Sequence, residues 1–144
     1  MTGEKVSEIK NINNDQTEKD NLKLKLEQQV AVGLWIQVIG QITESLALSQ
    51  LLIINDDPFL EDEKTIVLGA WIKTVGQLLE AIGVSEQISV KDEGEGAAVI
   101  VKGQKIAVTG DWLQAFGALL DAIAGTNVLT EEQISGIIPS FIIP

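Results

Sequence analysis

Apolar residues recur along this chain at the spacing that a helix gathers onto one face, and the pattern is written three times. The copies are GLWIQVIGQITESLA from Gly33 to Ala47, GAWIKTVGQLLEAIG from Gly69 to Gly83, and GDWLQAFGALLDAIA from Gly110 to Ala124. With the first Gly as position 0 and a turn of roughly 100° per residue, positions 3, 6, 10 and 13 share one stripe. These are Ile36, Ile39 and Leu46 in the first copy, interrupted by Thr43. In the second they are Ile72, Val75, Leu79 and Ile82, and in the third Leu113, Phe116, Leu120 and Ile123. The stripe is the expected core face. Trp35, Trp71 and Trp112 stand at position 2 on one of its borders, and the small residues at 0, 7 and 14 on the other.

Glycine inside a helix costs about 0.5 to 1 kcal/mol relative to Ala, yet the chain repeats it in register. Gly33 and Gly40, Gly69 and Gly76, and Gly110 and Gly117 form the ridges, with Gly103 in the same seven-residue phase. Close helix approach is the physical compensation, because a ridge without side chains admits a neighbouring backbone or a flat Trp ring. The expectation is near-parallel or antiparallel helices packed Gly ridge to Trp edge, supercoiled to the left by the period of seven.

Residues 1–19 are rich in Lys, Glu, Asn and Asp and read as a disordered polar tail, leaving 20–144 as a single helical repeat domain. A first helix is expected from Asp20 or Asn21 to about Ile54, and Asn55-Asp56-Asp57-Pro58 punctuates the chain before a second. That second helix should end at Gly83, followed by a charged connection over 84–95. For 97–124 a long helix is favoured, since Gly96, Gly103, Gly110 and Gly117 fall seven apart. The alternative is a small β-hairpin at about 97–109, built from Val99, Val101, Ile106 and Val108 around KGQK. Gly125-Thr126-Asn127 should close the helix. Thr130-Glu131-Glu132-Gln133 reads as a capping box for a short C-terminal helix stopped by Pro139. The apolar IIPSFIIP then folds back or waits for a partner. The fold class is all-α, a bundle of three long amphipathic helices plus a short fourth.

Charge and composition narrow the function. The net charge of −11 is the wrong sign for nucleic acid. The chain has no Cys, His, Tyr or Arg, which removes thiol chemistry, the commonest general base and the bidentate anion clamp. Position 11 is acidic throughout, as Glu44, Glu80 and Asp121, and three carboxylates from three helices would suit a cation or an acid pair. The wheel sets them about 130° from the stripe centre, so a solvated face is the better reading. Position 4, comprising Gln37, Lys73 and Gln114, lies on the same side. Asp92-Glu93-Gly94-Glu95 lacks the alternation of a calcium loop, and Gly94, Gly96 and Gly103 with Lys102 and Lys105 lack the spacing of a phosphate loop. No catalytic, cofactor-binding or metal-binding residue emerges, and no cofactor is expected. The interaction residues are Gly33, Trp35, Gly40, Gly69, Trp71, Gly76, Gly103, Gly110, Trp112 and Gly117, and the expected partner is the chain itself.

The N-terminal residues carry no secretory pattern, so a cytoplasmic location is expected. The uncharged run from Gln28 to Thr43 is broken by Gln37 and Gln41 and lacks basic flanks, which argues against a span. Wide apolar faces with a Trp border also suit a membrane surface, although the opposite faces carry Glu and Gln rather than Lys and Arg. Core packing is therefore preferred.

Gly69-Ala-Trp-Ile-Lys-Thr-Val-Gly76 and Gly110-Asp-Trp-Leu-Gln-Ala-Phe-Gly117 resemble the GxWxQAxG segments of a small, uncharacterised repetitive protein family of spore-forming Gram-positive bacteria. The resemblance covers roughly residues 30 to 125. It implies a cytoplasmic helical repeat protein and brings no activity with it.

Overall fold

The structure, a computed structural model, describes residues 2–54, 60–93 and 96–137. Three helices account for nearly all of them: α1 (Thr2–Ile54), α2 (Leu60–Glu93) and α3 (Ala97–Ile137). The chain is all-α. Glu61, Asp62 and Glu63 occupy the first turn of α2, where the exposed N–H groups favour negative charge. Before α3 the chain turns at Gly96, whose φ of 32° suits a residue without Cβ, and the Gly96 carbonyl accepts the Val99 N–H at 3.1 Å.

Three helix ends, the start of α1 and the ends of α2 and α3, lie further out than the local signals suggest, while α1 ends at Ile54 and α3 begins at Ala97 as expected. Helix α1 begins at Thr2 instead of Asp20, and its early turns carry local side-chain bonds such as Gln16 to Asp20 at 3.2 Å. Helix α2 passes through Gly83 to Glu93, because Gly83 is a contact residue with no turn to make. Residues 97–109 form helix rather than a hairpin, as the glycine phase favoured. Gly125-Thr126-Asn127 does not close α3, so there is no separate fourth helix among the described residues. The Thr126 and Thr130 hydroxyls donate to the Ala122 and Thr126 carbonyls four residues back, and Asn127 Nδ2 donates to Asp62 Oδ1 at 3.0 Å. The Asn55–Pro58 punctuation, Pro139 and the apolar C-terminal run lie outside the described residues.

Helix α2 is central, with α1 antiparallel on one flank and α3 antiparallel on the other. Among the described residues the backbones of α1 and α3 do not approach each other. The three helices therefore form an open layer. Its apolar core is small: Leu34, Val38 and Ala81, with Val84 packed against them.

The predicted core stripe is not the core. Ile36 and Ile39 are each 65% exposed, and Val75, Phe116 and Ile123 about half exposed. Burial in α2 falls instead on Gly69, Gly76 and Gly83 and on Ala70, Thr74, Gln77 and Ala81, which are positions 0, 7, 14 and 1, 5, 8, 12. On the wheel these two sets lie about 130° apart and leave the stripe outside both. The physical reason is closeness. Small side chains let two backbones meet, whereas a ridge of Ile, Leu and Phe holds a neighbour away.

Candidate functional site

Two kinds of seam join the layer, and each uses one face of the repeat on both partners. The α2·α3 seam is glycine on glycine. A Cβ on Gly76 would lie 2.6 Å from the Gly110 carbonyl oxygen, one on Gly83 2.5 Å from that of Gly103, and one on Gly117 2.6 Å from that of Gly69. The reverse contacts are equally tight. Six glycines thus pair in three reciprocal steps, Gly69 with Gly117, Gly76 with Gly110 and Gly83 with Gly103, each bringing Cα–H groups onto carbonyls. The expected Gly ridge to Trp edge packing is replaced by like on like. An antiparallel pair with twofold-related repeats presents the same ridge from both sides, and two bare ridges approach more closely than a ridge and a ring.

The α1·α2 seam is built on the Trp edge. Trp35 Nε1–H donates to Ser85 Oγ at 3.1 Å, and Trp71 Nε1–H donates to Ser49 Oγ at 3.0 Å. Each serine in turn donates to a carbonyl four residues back, Ser85 to Ala81 and Ser49 to Ser45, both at 2.7 Å. In repeat numbering both contacts run from position 2 to position 16, so they are copies related by the internal symmetry. Between them the Ser45 and Thr74 hydroxyls meet at 2.7 Å in the buried centre of the seam. The position-16 hydroxyl lies outside the repeat unit as read from sequence, and only its common offset of fourteen residues from each Trp signals it.

The acidic position is more than a solvated face. Lys73 Nζ reaches Asp121 Oδ2 at 2.6 Å on α3 and Glu44 Oε1 at 3.4 Å on α1, with its side chain only 19% exposed. Gln114 Nε2 donates to Glu80 Oε2 at 2.8 Å, the symmetry copy of the Lys73–Asp121 contact. Burial pulls the Lys73 pKa down, but the Asp121 and Glu44 carboxylates outweigh it and hold the ammonium above the ordinary lysine value. The two seams leave α2 about 130° apart rather than opposite each other, and positions 4 and 11 fall between them. The layer therefore curves around this polar line, and the apolar stripes lie together on the convex side. The three carboxylates do not converge, and no group able to hold a metal ion occurs among the described residues.

The ten sequence-selected residues separate into used and open sets. Gly69, Gly76, Gly103, Gly110 and Gly117 lie in the glycine seam, and Trp35 and Trp71 in the Trp seam. Gly33 and Gly40 have open space where a Cβ would stand, and Trp112 is 74% exposed against 42% for Trp35 and 38% for Trp71. Among the described residues each outer helix keeps one repeat face uncovered. All three helices are also long and apolar enough, by length and composition, to cross a membrane. No family model, curated protein or solved structure matches the chain.

Proposed function

We propose that this chain is a non-enzymatic structural protein that associates with further copies of itself through the repeat faces its own fold leaves uncovered. One observation carries the reading: Ile36, Ile39 and Leu46 on α1, Val75 on α2 and Phe116 and Ile123 on α3 stand exposed along the apolar stripe, whose remaining members Ile72, Leu79, Ile82, Leu113 and Leu120 are half-buried. An apolar surface of that extent has to be covered, and repeat proteins cover it with the next unit. The open Gly33 and Gly40 ridge supports the same reading, since its counterparts on α2 and α3 are filled by a helix. A cytoplasmic location accompanies this proposal, as does the absence of nucleic-acid partners expected from the charge of −11. The test is light scattering over a wide concentration range. Mass should rise with concentration or sit above one chain, and a strict monomer throughout would overturn the reading.

A second reading has its own support. An arc with a polar inside and an apolar outside also suits lipid, and three helices have the length and hydropathy for it. Flotation with neutral and with anionic vesicles tests this. The acidic charge predicts stronger recovery with neutral lipid, and no recovery with either removes the idea.

A further inference from the structure

We infer that α3 is the site of a symmetric dimer, in which the Trp112 edge of one copy pairs antiparallel with the same edge of a second copy. This pairing rests on the self-association proposed above and names its interface. Within the chain, the Trp edge of the first repeat is closed by that of the second through two copies of one contact, Trp35 to Ser85 and Trp71 to Ser49. The third repeat carries both halves of that contact, unused. Trp112 stands at position 2 and is 74% exposed, with no helix against it among the described residues. Thr126 stands at position 16, and its hydroxyl donates to the Ala122 carbonyl at 2.7 Å, just as Ser85 donates to Ala81 and Ser49 to Ser45. The Thr126 oxygen is thereby oriented with its acceptor side outward, as in the two serines that receive a Trp N–H.

A single α3 has no second Trp edge in its own chain to meet, because α2 has given its Trp edge to α1 and its Gly ridge to α3. A second copy supplies one. With the pairing of the α1·α2 seam, Trp112 meets Thr126 of the second copy and Thr126 meets its Trp112. The buried centre, Ser45 against Thr74 inside the chain, becomes Ala115 against Ala122. Both alanines are exposed on α3 and small enough for that approach. Beyond the Trp contacts, Val108 and Leu129 fall opposite each other, and they are 52% and 60% exposed. Asp111 falls opposite position 16 or 17, away from its own copy, so the symmetry brings no like charges together there. The dimer continues the layer in the established alternation, Trp seam, Gly seam, Trp seam.

The chain has no Cys, which makes cross-linking decisive. Ala115→Cys and Ala122→Cys chains are prepared separately, mixed, and oxidised mildly. The mixture should give a disulfide-linked pair, because the two positions face each other within disulfide reach. Neither variant alone should, since each Cys is then offset from its own copy by about seven residues, on the order of 10 Å of helix. Trp112→Phe and Thr126→Val should each weaken the dimer by roughly tenfold, the loss of two symmetry-related hydrogen bonds, and together by about the same factor because both remove the same bonds. A chain that associates without mixed cross-linking overturns this seam while leaving self-association standing. A chain that is monomeric at every concentration overturns both.

Discussion

Replacing Gly76 by Ala tests whether backbone contact holds α2 to α3. The new Cβ would sit 2.6 Å from the Gly110 carbonyl oxygen and 2.8 Å from the Gln114 backbone nitrogen, against an ordinary contact that begins at 3.4 Å. Both neighbours are backbone atoms and cannot rotate aside, so the helices must part by nearly an ångström at the middle of the three glycine steps. Overpacking of this kind costs about 1 to 3 kcal/mol. Ala returns about 0.5 to 1 kcal/mol of helix propensity. The net expectation is a loss of about 1 to 2 kcal/mol, which in a chain of this size lowers Tm by about 3 to 7 °C. The same substitution at Gly40, in the same heptad phase, has open space around it and should raise stability by about 0.5 to 1 kcal/mol. Thermal and urea unfolding followed by circular dichroism, on samples dilute enough to be dissociated, measure both. A Gly76→Ala chain as stable as the parent would refute the glycine seam, and a Gly40→Ala chain less stable than the parent would refute the open ridge on α1.

The polar contacts answer to similar measurements. Lys73→Met leaves the Asp121 and Glu44 carboxylates without their cation, at about 1 to 3 kcal/mol in urea unfolding. Because the folded pKa of Lys73 is raised, its stabilisation is whole below the unfolded lysine value of about 10.4 and fades as pH rises through the folded value. The stability gap between the parent and Lys73→Met should therefore be flat from neutral pH to about 10 and narrow above it. Trp35→Phe with Ser85→Ala, and Trp71→Phe with Ser49→Ala, should give similar coupling energies of about 0.5 to 1.5 kcal/mol in double-mutant cycles. Unequal couplings, one near zero, would break the internal symmetry of the Trp seam.

The repeat, its helical period, the all-α class and the glycine ridges are legible in the letters alone. These are local facts: a seven-residue phase of Gly is visible without knowing what lies across from it, and it also favours helix over hairpin for 97–109. The buried face is another matter, settled only between helices. Hydrophobicity pointed to Ile36, Ile39 and Phe116, but burial went to Gly76, Ala81 and Thr74, because backbone proximity is a property of two helices and cannot be summed along one. The helix ends follow the same logic, since Gly83 and Gly125 read as stops only while their neighbours are unknown. The carboxylate at position 11 looked solvated on a single wheel. It became a bridge only when curvature set α1 and α3 both within reach of Lys73. The pairing of Trp with a hydroxyl fourteen residues further along the repeat was present in the letters from the start, but only the antiparallel seam gave it meaning, by placing the two halves of the contact on different helices.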